Sequence, residues 1–590
     1  MTDDQPPLSA AGPPPAPVQD GASKMEQDRA VATPAGGVSA AGPPPAPVHD
    51  GAPKMEQDRP VAAPADGAGP WRPLRSPMFR SLLIASLGAD IGLFMQSAGA
   101  AWLLVSLGST AGLVALVQTA ASLPEFLLVI PAGALADIVD RRKLILAAEA
   151  WILVASAALA ALVSAGRVSP TVLLVLLLLV AVGAALEGPV WQAIQPELVP
   201  RRDLPSALAL NGIEFNVARA IGPALAGVLL GLAGAGTVFA ISAASGLGVI
   251  AVIAGWRSTP PQRGVPLETL TESLVAGFRY VDHSPALRGV LLRTGTGIFA
   301  VAAFPALLPT LAHEMGAGAV GYGLLLASFG VGGILGVPVL PWLRARASSD
   351  ALFSAGLATM ALMLAAVASL HPLWLLCVVL LVGGAGWTVV LTVVNTAVQN
   401  LAPSWVRGRV LAFYLLVFQA GIAAGSAVWG TLADRTSVRE ALFAAGATLA
   451  ASVALRFRYP LPHHAVDMSP WNHWPTPRLA VQPGLHDGPV LVTLEYFVNP
   501  GQTREFKAAM RGLEEIRRRD GALRWDLFAD AQIPGRYLET FLVASWAEHL
   551  RQHDRFTQAD RAVEDRVGAV VQQTPRETHF LHVSADRRRV

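Results

Sequence analysis

Residues 80–456 are almost continuously apolar, interrupted only by short polar or Gly/Pro-rich segments. A helix needs about 20 apolar residues to cross the hydrocarbon of a bilayer. Lipid offers no hydrogen bonds, so a spanning segment must satisfy its own backbone, which a helix does. The region divides into twelve such runs, near 80–106, 111–136, 143–166, 170–190, 207–232, 236–256, 287–312, 319–343, 351–370, 373–395, 409–432 and 437–456. Of the 590 residues 53% are hydrophobic and only 15% charged, against about 25% charged in soluble domains. That is too little polar surface to wrap several soluble domains. The expected fold class is an all-α membrane protein of twelve transmembrane helices, with the lipid bilayer as its surroundings.

Two regions depart from this pattern. Residues 1–70 lack aromatic residues, and Ser9–Ala35 recurs as Ser39–Ala65, a period of 30. Ala, Pro and a few Val give this duplication no apolar face to stack, so a disordered tail with polyproline II segments is expected. Residues 488–590 have ordinary soluble composition. The domain plan is a tail (1–70), a six-helix half (71–256), a linker (257–286), a second six-helix half (287–460), a linker (461–487) and a soluble domain (488–590). The net charge of +2 suggests no nucleic-acid surface. The single cysteine, Cys377, excludes intrachain disulfides and cysteine-based metal clusters. No cofactor is expected.

Orientation follows from the loops. Those after the even-numbered runs hold thirteen Lys/Arg, from Arg141, Arg142 and Lys143 to Arg407 and Arg409; those after the odd-numbered runs hold three, Arg167, Arg435 and Arg439. Cytoplasmic loops carry such an excess, so both termini are expected in the cytoplasm. The wealth of Ala, Gly, Pro and Arg suggests a GC-rich bacterium, hence a bacterial inner membrane. The two sets of six helices show internal similarity at an offset of 203. Leu198-Val199-Pro200 matches Leu401-Ala402-Pro403, and Gly222 and Gly227 match Gly425 and Gly430. Paired six-helix halves with a site between them near the midplane are one transporter architecture.

The loop after the second run reads Gly133-Ala-Leu-Ala-Asp137-Ile138-Val-Asp140-Arg141-Arg142-Lys143. This resembles motif A of the major facilitator superfamily, with Ile138 where a basic residue is usual and Asp140 where Gly is usual. Gly133 suits close helix approach, Asp137 can face the N-terminal end of a neighbouring helix, and Arg141 and Arg142 anchor the cytoplasmic face. Met95-Gln96, Ala101-Trp102, Pro189-Val-Trp191-Gln192, Glu197-Leu-Val-Pro200-Arg201 and Phe215-Asn216-Val-Ala-Arg219-Ala-Ile-Gly222-Pro223 narrow the resemblance to the transmembrane secretion effector branch, which includes enterobactin-exporter-like proteins. The resemblance implies efflux of a small, partly hydrophobic compound (siderophore or drug class) by alternating access, driven by proton antiport. Gly222-Pro223 with Gly227 matches part of the antiporter motif C, and Pro223 can bend its helix or simply pack.

Ionisable groups at membrane depth are costly and usually functional. Asp90, Glu125, Glu187, Glu214 and Arg219 lie within apolar runs. Asp90, then Glu125 and Glu214, are the candidate proton carriers, the alternative being a fixed ion pair, for which Asp90 with Arg219 is the natural pairing. Gln96 and Asn216 are candidates for a polar cavity, with Phe94 and Trp102 for apolar contact.

The strand and helix patterns of 488–590 follow the order βαββαβ, which suggests a ferredoxin-like α+β domain. It resembles antibiotic-biosynthesis-monooxygenase-type domains, which pair sheet to sheet, so a homodimer through this domain is expected. His549 and His553 stand four apart on one helix face, a metal-binding spacing, but no third ligand is evident and no metal is expected. Trp525, Tyr537, Trp546 and His549 are candidates for a substrate pocket. The competing function is a membrane-tethered, cofactor-independent oxidative enzyme, or a transporter–enzyme fusion; twelve helices and motif A are unneeded for an anchor, and no enzyme is expected.

Overall fold

The computed structural model describes residues 71–256, 270–462, 467–471 and 483–583. The proline-rich duplication lies outside these residues. The first half comprises α1 (Pro77–Ser106), α2 (Ala111–Ile138), α3 (Arg141–Ser164), α4 (Pro170–Leu198), α5 (Leu204–Ser245) and α6 (Leu247–Gly255). A helix in the linker, α7 (Leu270–Asp282), precedes the second half. That half comprises α8 (Pro285–Val301), α9 (Ala303–Glu314), α10 (Gly318–Arg344), α11 (Ser349–Ser369), α12 (Leu373–Asn400), α13 (Arg407–Arg435) and α14 (Val438–Val453). The short turns carry their own start signals. Ser76, Thr110, Asp140, Ser169, Ser348 and Ser437 each accept a backbone N–H of the helix that follows.

Eleven described spans are long and apolar enough to cross a membrane. The longest, Leu204–Gly255, has 52 residues, about 78 Å as a straight rod and more than twice the hydrocarbon thickness. It breaks at Gly234, whose φ of 76° suits glycine. Before the break Glu214 meets Asp90 and Gly222 meets Ile91, Phe94 and Met95, so the chain runs parallel to α1. After it Val238 meets Gly99 and Ser242 meets Gly92, so the chain returns antiparallel to α1. This span is a hairpin of two passes. Conversely, α8 and α9 form one span, Pro285–Glu314.

The glycines at the 203 offset make equivalent contacts. A Cβ on Gly222 would lie 2.7 Å from Phe94 Cβ on α1, and one on Gly425 would lie 2.9 Å from Ala302 Cβ at the end of α8. A Cβ on Gly227 would lie 2.9 Å from Gly323 Cα on α10, and one on Gly430 2.5 Å from Ala115 Cβ on α2. Each half therefore packs its fifth pass on its own first helix and on the second helix of the other half, as small residues allow. The carbonyl of Pro223 faces Gly323 in the same contact.

The halves meet at the end away from the basic loops. There Asp434, at the end of α13, accepts Thr110 Oγ1 (3.0 Å) and Gly112 N (2.8 Å) at the start of α2. Trp102 stacks on Tyr322 of α10 (5.7 Å between ring centres, 18°) and meets His313 edge-on. It is a contact between halves.

The soluble domain contains β1 (Val490–Phe497), α15 (Thr503–Asp520), β2 (Arg524–Ala529), β3 (Arg536–Val543), α16 (Trp546–Arg555), α17 (Gln558–Gly568) and β4 (Arg576–Leu581). The sheet order is β2-β3-β1-β4, with every neighbour antiparallel. Val490, Val492, Leu494 and Tyr496 alternate toward the helices, where Phe506, Met510 and Leu513 of α15 cover them. The other sheet face carries Leu491, Leu538, Leu542, Phe528 and Phe580, of which Leu538, Phe528 and Phe580 are exposed. The domain rests on α7 and on the turn between α12 and α13. Arg519 lies over the Tyr280 ring (5.3 Å), Arg555 over Trp405 (4.6 Å), and Arg279 is 3.9 Å from Glu548. Tyr280 OH donates to Leu401 O (2.9 Å), and Gly277 lets α7 lie against Arg409 and Phe413 of α13. The linker is thus partly a helix, clamped from both sides.

Candidate functional site

Four carboxyl groups from four helices gather inside the first half. Asp90 stands about 20 Å along α1, near its middle. Its carboxyl group lies beside that of Glu214 of α5. Glu149 of α3 lies beside Glu187 of α4, and both lie near Asp90. Glu149 and Glu214 are buried, and the other two are half-buried. Among the described residues none of the four pairs with a base. Carboxyl groups gathered at membrane depth are the chemistry of proton relays.

Sequence reasoning found Asp90, Glu187 and Glu214 but missed Glu149. Its signal was present, a lone acid in Ala-Ala-Glu149-Ala-Trp within an apolar run. The expected Asp90–Arg219 pair does not form. Arg219 instead lies over Phe94 (5.7 Å) and Phe215 (5.2 Å), which meet edge-on at 5.3 Å. Residue spacing set the depth of the two charges but not which way each faced. Phe215 is exposed, so this cationic, aromatic patch sits beside the acids at an accessible surface.

Gln96 is not a cavity residue. It is 2% exposed and bonded to Ser156 Oγ (3.0 Å) and Ser242 Oγ (2.8 Å), fastening α1 to α3 and to the returning arm of α5. Asn216 donates to Gly212 O (2.7 Å) within its own helix. Glu125 lies on an exposed part of α2, without an ion pair or hydrogen bond among the described residues. It does not join the four acids.

In the basic loop, Arg141 bonds Ala193 O (3.1 Å) and Glu197 (2.6 Å) at the end of α4. Arg142 bonds the carbonyls of Ile253 and Ala254 at the end of α6, where a cation is favoured. A Cβ on Gly133 would meet nothing within 4 Å, so the close helix approach expected there is absent in this conformation. The side chain of Asp137 lies outside the described residues.

The soluble domain has a buried hub at Glu539, which accepts from Tyr496 OH (2.6 Å), Trp525 Nε1 (2.8 Å) and Arg517 Nε (3.3 Å). Burial, with the Glu539 charge beside it, pushes the Tyr496 hydroxyl well up. Burial pulls His549 down to about 3, and His553 and His579 add to the shift. Trp525 turns to Glu539, Tyr537 to Thr503, and Trp546 to His549 and His579, so the four expected pocket residues do not converge. The cavity beside His549 measures about 10 Å³, too small for an organic substrate. A separate apolar groove of about 510 Å³ lies along the second half, lined by Leu291, Leu292, Phe299 and Val417, with Arg288 at its rim.

Residues 68–588 match the family model described as transmembrane secretion effector. The chain is similar to the multidrug efflux pump Tap of Mycobacterium tuberculosis (strain ATCC 25618 / H37Rv), 26% identical over 403 residues that cover 65% of this chain and 94% of that protein. It is also similar to the enterobactin exporter EntS of Shigella boydii serotype 4, 27% identical over 360 residues covering 60% of this chain and 85% of that one. The nucleoside transporter NupG shares the fold at a TM-score of 0.55 and 13% identity, over 65% of this chain and 98% of that structure. So does a bacterial homolog of the human lysosomal transporter Spinster, inward-facing and occupied, at 0.53 and 16%, over 66% and 97%.

Proposed function

The chain belongs to the transmembrane secretion effector family of major facilitator transporters, and from that premise we propose that it exports a small, partly hydrophobic compound from the bacterial cytoplasm by alternating access and proton antiport. The compound is of the siderophore or drug class, as the named relatives suggest. The observation that carries this reading is the cluster of Asp90, Glu214, Glu149 and Glu187, an acid group without a base among the described residues. Loss of a proton from such a cluster leaves like charges in a poorly solvated place, which favours rearrangement or cation capture. Entry of a proton from outside discharges it and lets substrate leave. The Arg219–Phe94–Phe215 patch supplies aromatic and cationic contact for an aromatic or anionic compound.

Counting the Gly234 hairpin as two passes makes twelve, with both termini and the soluble domain in the cytoplasm, as the excess of basic residues suggests. The contacts of Asp434, Trp102 and Gly227 at the opposite end, with open space at Gly133, then support a state facing the cytoplasm. The βαββααβ order with sheet order β4-β1-β3-β2 supports a ferredoxin-like domain, and its apolar outer face supports pairing of two chains. Everted vesicles test the transport reading. Asp90→Asn and Glu214→Gln are each expected to cut proton-driven efflux at least tenfold while leaving substrate counterflow. Full proton-driven efflux in the double variant refutes the coupling role. Metabolite profiling of cells lacking the protein, inside and in the medium, identifies the exported compound.

A further inference from the structure

The soluble domain holds a cluster that proton-coupled export does not use. His549 and His553 stand four apart on one face of α16, and β4 brings Glu577 and His579 against them. Ligand-capable atoms of His549, His553 and Glu577 all lie within 4.8 Å of one another. His579 Nε2 is 2.8 Å from His549 Nε2 and 3.2 Å from Glu577 Oε1. Nitrogen and oxygen ligands about 2.0–2.1 Å from a tetrahedral ion stand roughly 3.3 Å from each other. Two edges of such a tetrahedron are thus nearly in place, and the three edges among His549, His553 and Glu577 are each within 4.8 Å.

The surroundings suit an ion. Glu577 and His579 are two apart on β4, so both face the helices. His549 is 1% exposed, and Trp546 packs on both His549 (5.2 Å) and His579 (5.6 Å). The adjoining cavity of about 10 Å³, lined by His549, His553 and Glu577 among others, has room for an ion and little else. Arg517 borders it, but that charge is already engaged by Glu539 at 3.3 Å.

We propose that His549, His553, His579 and Glu577 form a binding site for a divalent transition-metal ion of the zinc type. Three imidazoles with one carboxylate favour zinc and its borderline neighbours over magnesium or calcium, which take oxygen ligands. Bound there, the ion ties α16 to the edge strand β4, and so adds metal affinity to the stability of the domain. The α16 helix also carries Glu548 and Arg555, which face α7 and Trp405, so the ion would stiffen the docking surface as well.

The test uses full-length protein in detergent, purified without a polyhistidine tag and stripped of metal. Titration with Zn²⁺ against a chromophoric chelator is expected to give one ion per chain with a dissociation constant below micromolar. Co²⁺ is expected to give the intense visible bands of a tetrahedral site. His553→Gln and Glu577→Gln are each expected to weaken binding by more than the roughly 10- to 100-fold that losing an outer partner costs. Absence of binding to the unmodified protein in the micromolar range overturns the proposal, whether or not the variants fold. So does undiminished affinity in a His549→Gln/His553→Gln double variant.

Discussion

Arg293 is completely enclosed between α8 and α11. It is bonded to Asp350, to Ser354 Oγ (2.9 Å) and to Tyr459 O (3.1 Å), with the Phe353 ring 4.9 Å below it. Asp350 also accepts Leu461 N (3.1 Å) and pairs with the more exposed Arg456 (3.2 Å). Breaking a buried pair by removing one partner costs about 3–5 kcal/mol, because the other charge stays buried alone. Asp350→Ala is therefore expected to lower the melting temperature in detergent sharply, whereas Arg456→Gln should cost about 1 kcal/mol or less. Equal melting temperatures for the two variants would contradict this. At this scale the sequence revealed depth but not direction. Asp90 and Glu214 stand out as lone acids in apolar runs. Glu149 does too, but it follows shortly after Arg141, Arg142 and Lys143 and reads as interfacial. Glu577 and His579 are invisible as partners of His549, because only the register of β4 on β1 brings them to α16.

Asp434 is an anion set at the start of α2, where unpaired N–H groups and the helix dipole favour it. Removing its two hydrogen bonds forfeits about 1–3 kcal/mol of closure, enough to shift the balance of conformations several-fold. Asp434→Ala is expected to raise the labelling of a cysteine introduced at Ala319, in a Cys377→Ser background, by a membrane-impermeant maleimide. Unchanged labelling would remove Asp434 from the closure. The α7 helix has a comparable role at the other end. Tyr280→Ala removes the ring under Arg519 and the bond to Leu401, and is expected to speed proteolytic release of the soluble domain. An unaltered cleavage rate would mean that Trp405 and Arg279 hold the domain by themselves. Helices and strands were largely legible because their periods of apolar residues are strong. The offset-203 glycines even encoded contacts, since close approach leaves no alternative residue. The α7 helix was not legible, because its apolar face is short and sits in a polar linker, and its partner residues come from distant segments.

Across the whole molecule, the soluble domain touches α7 and the turn between α12 and α13. The pairs of Arg279 with Glu548, Arg519 with Tyr280 and Arg555 with Trp405 reach the second half or the helix that leads into it. The four carboxyl groups belong to the first half. The acid cluster and the anchoring of the soluble domain therefore fall on opposite sides of the seam that Gly227 and Gly430 keep narrow. Should two chains join through the outer sheet face, their second halves would become a shared stator. The two first halves, each with its own acid cluster, would then be the swinging arms, free to cycle out of step with each other.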